Sequence, residues 1–275
     1  MRVERAEFFH PEVLVKQVEK KIKGLCTSDL PNYITIVPDG EPTLDLHLGE
    51  LIAKIRIFGF PVAVITNSSL IDDKYIQAEL MKADYISLKV DTVSQASWKI
   101  INKPHKKLNL ESILTAIPDF SKTFKGKLVT ETMLIRGAND TEEELTALAK
   151  FLQTVKPDIA YIAIPTRPPA FKGTYAANEL SVARGYDIFN QHGLTAELLT
   201  GYEGNAFASS GNFAEDILSI TAVHPMRKDG VFELLARSDA TEKDFNQLIE
   251  KGLIEKIVFQ DKEFYLRKFH QDKIN

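Results

Sequence analysis

The sequence predicts an α/β fold built on a parallel sheet, followed by a small C-terminal domain of different grammar. Three observations carry this. Short β-branched runs alternate with amphipathic stretches of helical length up to about residue 200. The strands are apolar on both faces, as parallel βαβ units with right-handed crossovers require. Beyond residue 210 the alternation stops. At 275 residues the chain exceeds a usual domain of roughly 100 to 200 residues, so two domains are expected, with boundaries at 1–210 and 211–275.

The elements follow in order. Val13, Leu14, Val18 and Ile22 recur at helical spacing over 10–23, and Gly24 stops that helix. A strand over 33–37 runs into Pro38-Asp39-Gly40-Glu41-Pro42, where proline and glycine break it. A helix over 44–58 leads to a strand over 61–66 and the polar turn Asn67-Ser68-Ser69. A helix over 72–82 leads to a strand over 85–91, and one around 110–124 to a strand over 127–135. The cap Asn139-Asp140-Thr141, followed by Glu142, Glu143 and Glu144, starts a helix over 141–154, since acidic groups favour the positive end of the helix dipole. Strand 159–164, helix 178–191 and strand 195–200 complete a set of about six strands. In the tail, helical segments over 214–223, 231–238 and 241–252 precede two strands, 254–259 and 263–269, joined as a hairpin. That order is typical of a winged helix.

Composition bounds the function. With 44% hydrophobic and 26% charged residues the chain has enough apolar surface for a real core. A net charge of −4 gives no general attraction to phosphate backbones. The helix over 241–252 sets Glu242, Asp244 and Glu250 against Lys243 and Lys251, which argues against DNA binding and for a substrate-covering or protein-contact tail. The first residues lack a signal-peptide apolar region, and no apolar run reaches the ~18 residues of a membrane span, so a cytoplasmic location is expected. The one cysteine, Cys26, excludes an internal disulfide framework and a zinc site of cysteine pairs. In GLCTSD it reads as a small, partly buried hydrophobe rather than a reactive thiol.

Parallel sheets and barrels gather ligands at the carboxyl ends of their strands, where helix N-termini and free N–H groups converge. Here those loops read Gly40-Glu41-Pro42-Thr43, Asn67-Ser68-Ser69, Ser87 to Asp91, Arg136-Gly137-Ala138-Asn139-Asp140 and Pro165-Thr166-Arg167-Pro168-Pro169. Each offers donors and acceptors suited to ribose hydroxyls, a carboxylate and an adenine edge. Singly, each is more often a turn or a helix cap, and Gly40 to Thr43 is as readily a helix-entry turn with Thr43 as its cap. Together on one rim they point to a cofactor site.

GEPTL, TNSSL, SLKVDT with Trp98 and INKPH (101–105), LIRGAND and PTRPP, in this order, resemble a group of radical S-adenosylmethionine (SAM) proteins, many with a winged-helix-like tail. The resemblance covers nearly the whole chain. It implies a partial (β/α)6 TIM-like barrel and an oxidoreductase or maturase-type enzyme that binds S-adenosyl-L-methionine beside a 4Fe-4S cluster. Carried over by motif, Gly40, Glu41, Pro42 and Thr43 face the methionyl amine, with Glu41 as its acceptor. Asn67, Ser68, Ser87, Lys89 and Asp91 face the ribose and carboxylate, and the Gly137 to Asn139 loop backs the adenine. His105 and Arg167 are candidate substrate contacts. The resemblance assigns no catalytic residue.

The chain departs from that group where a first strand and a CxxxCxxC loop stand, and Asp39 occupies a position usually held by a small residue. Thiolates are the ligands such clusters need, and Cys26 alone cannot supply them, so no metal ligand is expected here. Three histories fit: a truncated reading of a longer enzyme, which is favoured; a separate cluster-bearing polypeptide; or a degenerate barrel that only binds nucleotide or protein. A barrel without its first strand exposes a sheet edge. A phosphate-binding aldolase-like barrel is the remaining rival, with Lys89 as its Schiff-base lysine.

Overall fold

The computed structural model describes residues 2–27, 30–37, 40–169, 171, 173–200, 209–223, 225–259 and 261–268. By packing, the chain divides into two units. The first comprises Met1–Val18, Pro31–Thr166 and Phe171–Gly201; the second comprises Glu19–Leu30, Arg167–Ala170 and Tyr202–Asn275.

In the first unit six strands are hydrogen-bonded in the order of the chain: β1 (Ile34–Ile36), β2 (Val62–Thr66), β3 (Tyr85–Lys89), β4 (Lys127–Met133), β5 (Ile159–Ala163) and β6 (Ala196–Leu199). Every pairing is parallel. Crossovers of one hand that never reverse direction place all helices on one face of the sheet. After the leading helix α1 (Pro11–Lys23), these are α2 (Leu48–Ile55), α3 (Lys74–Leu80), α4 (Gln95–Ile101), α5 (Leu110–Thr123), α6 (Glu142–Val155) and α7 (Glu179–Gln191). Because side chains alternate, Val62, Val64, Ile86, Leu88, Leu128, Ala160 and Ile162 point into the helical layer and form the core with Ile52, Leu80, Ile117, Leu145, Leu152 and Phe189. Tyr85, Ser87, Lys89, Glu131 and Tyr161 share the opposite face. Burial, helped by the neighbouring Tyr161 and Tyr33, pushes the Tyr85 phenol up to about 12. The edge strands β1 and β6 do not pair with each other among the described residues, so the sheet is open.

Three local differences from the sequence reading have physical causes. The stretch 44–58 is no single helix: a 3-10 turn (Pro42–Leu44) precedes α2, and a second (Arg56–Phe58) closes it, with Gly59 at φ +81 as the cap. Ala6 forms a parallel bridge to Asp45, donating to Leu44 O and accepting from Leu46 N, which pulls Asp45 into extended geometry and prevents a continuous helix. Helix α4 was not anticipated, because it buries only Ser97 and Trp98 and leaves Ile100 exposed, so its sequence shows no apolar period. Strand β3 stops at Lys89 because the Asp91 side chain takes the Met133 N–H at 2.9 Å.

The second unit contains α8 (Phe213–Val223), β7 (Met226–Arg227), α9 (Lys228–Arg237), α10 (Glu242–Glu250), β8 (Ile254–Phe259) and β9 (Lys262–Arg267). The expected hairpin is present, and β7 adds a third antiparallel strand in the order β7-β9-β8. Phe245 packs edge-on against both Phe213 and Tyr265 in its core. Asp216, fully buried, accepts from Lys21 Nζ at 2.5 Å and from Ser210 N and Oγ at 2.6 and 2.8 Å. Burial pushes that carboxyl up, but these donors prevail and hold it below the usual range. No helix among the described residues is long and apolar enough to cross a membrane.

Candidate functional site

The loops at the carboxyl ends of β1 to β4 are tied together by polar side chains rather than by apolar packing. Glu41, 8% exposed, caps the first 3-10 turn. Its Oε1 accepts from Thr43 N–H (3.1 Å), Thr43 Oγ1 (2.7 Å) and Thr66 Oγ1 (2.6 Å), and its Oε2 accepts from Asn67 N–H (2.7 Å). One carboxylate thus clasps the β1 loop to the β2 loop, and only Oε2 retains accepting capacity. Burial raises the Glu41 carboxyl above its ordinary value, against the pull of the donors from Thr66, Thr43 and Asn67. Pro42 and Thr43 are buried within the clasp. Asp39 and Pro38 lie outside the described residues.

The next loops form a second cluster. Lys89 Nζ stands 3.3 Å from Asp91 Oδ1 and 3.6 Å from Glu131 Oε1. Burial works against its charge, yet the two carboxylates overcome that and hold the ammonium above its usual value. An ammonium held between two carboxylates is a poorer Schiff-base nucleophile, which argues against an aldolase-like reading. Asp91 Oδ2 accepts from Asn102 Nδ2 at 2.9 Å, and the Asp91 carbonyl accepts from Asn139 Nδ2 at 2.7 Å. Asn139 is 2% exposed with both its N–H groups committed: it also donates to Met133 O and accepts from Ile135 N–H, so it shapes the β4 loop. Gly137, at φ +72, donates its N–H to Asp140 Oδ1, a turn that favours glycine.

Glu41 therefore bonds Asn67; Asn67, Ser68, Lys89 and Asp91 line one cavity of about 80 Å³; and Asn139 holds Asp91. The rim residues form one connected set. Ser87 is buried on the sheet face shared with Lys89. His105 lies on the loop between α4 and α5, where its Nδ1 accepts from Lys107 N–H as part of a turn. Arg167 belongs to the second unit and is not described with the rim. Sequence reasoning passed over Glu144, whose carboxylate accepts from Thr92 Oγ1 and Ser97 Oγ, both at 2.7 Å, and over Asn102. The sequence signals were the motif INKPH, which contains Asn102, and the acidic first turn of α6, which contains Glu144.

The donor set fits a zwitterionic adenosyl ligand: an acceptor at Glu41 Oε2 for an ammonium, and Lys89, Asp91 and Glu131 for a carboxylate and ribose hydroxyls. It does not fit an iron–sulfur cluster. Cys26 is exposed, not partly buried as its sequence context implied, and the described residues contain no group of His, Cys, Asp or Glu able to hold a metal ion.

Comparison with known proteins agrees with the family resemblance of the sequence. The profile of the Radical SAM superfamily matches residues 4–151. The chain belongs to the radical SAM superfamily. A UPF0026 protein of Methanocaldococcus jannaschii is 38% identical over 267 residues, covering 96% of this chain and 83% of that protein. A UPF0026 protein of Helicobacter pylori (strain J99) is 31% identical over 60% of this chain, which spans 54% of that relative's length. A radical SAM methyltransferase from Sphaerobacter thermophilus has the same fold, with a TM-score of 0.55 at 14% identity, covering 73% of this radical SAM chain and 59% of that one.

Proposed function

We propose that this chain holds S-adenosylmethionine for an oxidoreductase or maturase-type radical SAM enzyme, with the cluster thiolates contributed by other cysteines than Cys26. The observation that carries this reading is the connected polar rim running from Glu41 through Asn67, Lys89 and Asp91 to Asn139. Bound there, S-adenosylmethionine would supply a sulfonium whose carbon–sulfur bond is the reactive one. The chain's own residues bind and orient: Glu41 Oε2 receives the ammonium, Lys89 attracts the carboxylate, and Asp91 and Glu131 accept from ribose hydroxyls. The helix, helix and hairpin of the second unit support a winged-helix-like tail that covers substrate or contacts protein.

A non-catalytic binding protein derived from the same fold is the second reading, favoured by the single exposed thiol. Calorimetry tests the binding that both share. S-adenosylmethionine is expected to bind with Kd on the order of millimolar, since loop contacts act without a metal chelate. Asn67→Ala and Lys89→Met each weaken it at least several-fold; no measurable heat, or binding unchanged in both variants, removes the proposal. Recovery of the chain from its native source with bound iron favours the enzyme, and recovery free of iron the binder.

A further inference from the structure

Two segments at the carboxyl ends of the strands are free of acid. Residues 92–110, from the end of β3 to the start of α5, hold Lys99, Lys103, Lys106 and Lys107 and no Asp or Glu; residues 159–178, β5 and the segment after it, likewise contain neither. The net charge of −4 hides this, because a sum over the chain says nothing of where the charges lie. Acids at this end of the sheet stand in the caps and first turns of α3, α5, α6 and α7, as the helix dipole favours. Lys107 is paired with Glu4, whereas Lys99, Lys106 and Arg136 are exposed and make no ion pair among the described residues.

Folding joins these cations to two exposed aromatic rings, all within the first unit. Lys103 Nζ stands 3.2 Å from the ring centroid of Phe171, which is 48% exposed. Lys103 reaches it at φ +43 ahead of Pro104, a strained backbone for any side chain. Thr174 N–H donates to Phe171 O, a turn that carries the chain to Tyr175, 63% exposed. Arg136 N–H then donates to Tyr175 O at 3.0 Å, beside the antiparallel bridge of Ile135 to Ala176. Lys103, Phe171, Tyr175 and Arg136 therefore form one strip across the segments after β3, β5 and β4. None of the four lines the cavity at the adenosyl rim, but Asn102 and Pro104, the neighbours of Lys103, do, so the strip borders that site.

Exposed rings beside cations are the two parts that single-stranded nucleic acid requires: faces on which bases stack, and positive charge for the phosphates. A duplex keeps its bases in their own stack and leaves such rings unused. An acidic peptide would engage the cations alone, and neither ring belongs to an amphipathic helix, the element that lies in a bilayer surface. We propose that this strip binds single-stranded nucleic acid and is the substrate-holding surface of the adenosyl site. The binding stands by itself; the substrate role rests on the function proposed above.

The test follows fluorescence anisotropy of labelled oligouridine and oligothymidine, each of about 12 nucleotides, with the full chain and no S-adenosylmethionine. Saturable binding of at least one strand is expected, and the tighter of the two identifies the sugar. An abasic strand of the same length, which keeps the phosphates and lacks the bases, should bind at least tenfold more weakly. Phe171→Ala and Tyr175→Ala should each weaken binding roughly five- to a hundredfold. Lys103→Met and Arg136→Ala should each flatten the slope of log affinity against log salt by about 0.7, which the ring substitutions leave unchanged. The proposal is overturned by no saturable binding, by equal binding of the abasic strand, or by binding that survives the ring substitutions. Displacement by oligoglutamate or by phosphatidylserine vesicles as readily as by unlabelled strand would replace the nucleic acid with an acidic peptide or a membrane surface, and loss of binding in Lys251→Met would move the site to the tail. Calorimetry with S-adenosylmethionine separates the two proposals: a chain that takes up the cofactor but no strand removes this one alone, and a chain that binds strand but no cofactor removes the substrate role.

Discussion

Replacing Glu41 separates a clasp from an ordinary surface carboxylate. Glu41→Ala removes the acceptor for four donors. The two threonine hydroxyls can rotate toward other partners, but the Thr43 and Asn67 N–H groups are fixed by the backbone. An orphaned buried N–H costs about 1–3 kcal/mol, and the partly buried Asn67 N–H lies at the low end, so the loss is roughly 2–4 kcal/mol. At about 2–4 °C per kcal/mol for a unit of this size, Tm falls by roughly 4–16 °C. Glu41→Gln keeps the three bonds to one oxygen and loses only that from Asn67, so about 1 kcal/mol is expected. Urea denaturation followed by circular dichroism measures both. The pH dependence supplies an internal check. The folded carboxyl is raised by burial above its ordinary 4.5, so its contribution to stability is fully present below that value and declines as pH rises through the folded value. The advantage of the wild type over Glu41→Gln should therefore shrink from pH 4.5 upward. An alanine variant within ~0.5 kcal/mol of the wild type, the margin of an ordinary surface change, would refute the clasp.

Three further outcomes follow from the same geometry. Lys89→Met leaves Asp91, which is fully buried, facing Glu131 without its cation, and should cost about 2–3 kcal/mol because a partly exposed lysine is lost from a buried pair; borohydride treatment of the wild type with pyruvate should trap no adduct at Lys89, read by mass spectrometry. Asn139→Ala strands the Ile135 N–H and two carbonyls and should destabilise by roughly 2–4 kcal/mol in the same denaturation assay, whereas Asn67→Ala, exposed, should stay within about 0.5 kcal/mol. Anaerobic reconstitution of this chain with iron and sulfide should yield no stable cluster, and a four-iron absorbance band with matching iron content would contradict that.

The alternation of strands and helices was legible because hydrophobic period is a local property: Val62, Val64, Ile86 and Leu88 announce buried strands whatever surrounds them, and caps such as Asn139 to Thr141 announce a helix start within four residues. The ordered motifs likewise placed the rim at the carboxyl ends of the strands. Roles within the rim were not legible. Asn139 reads as a ligand contact on its loop, yet three backbone groups brought to it by folding occupy both its N–H groups and its oxygen; Glu41 reads as a ligand's acceptor, yet most of its capacity serves the chain itself. Helix α4 escaped notice because it buries only Ser97 and Trp98 and leaves Ile100 exposed, so no apolar stripe marks it in the sequence, whereas the equally short α3 buries Ile76 and Leu80 four residues apart. Nor can a linear cut near residue 210 express the packing of residues 19–30 with the tail, which the Lys21–Asp216 ion pair secures across 195 positions. Sequence by itself determined the order of elements, the superfamily and which loops lie at the carboxyl ends of the strands, since each rests on neighbours along the chain. Only the tertiary structure decided which polar groups are spent on holding the loops and which, like the Ser68 hydroxyl, remain unsatisfied, because hydrogen-bond partners distant in sequence have no period to betray them.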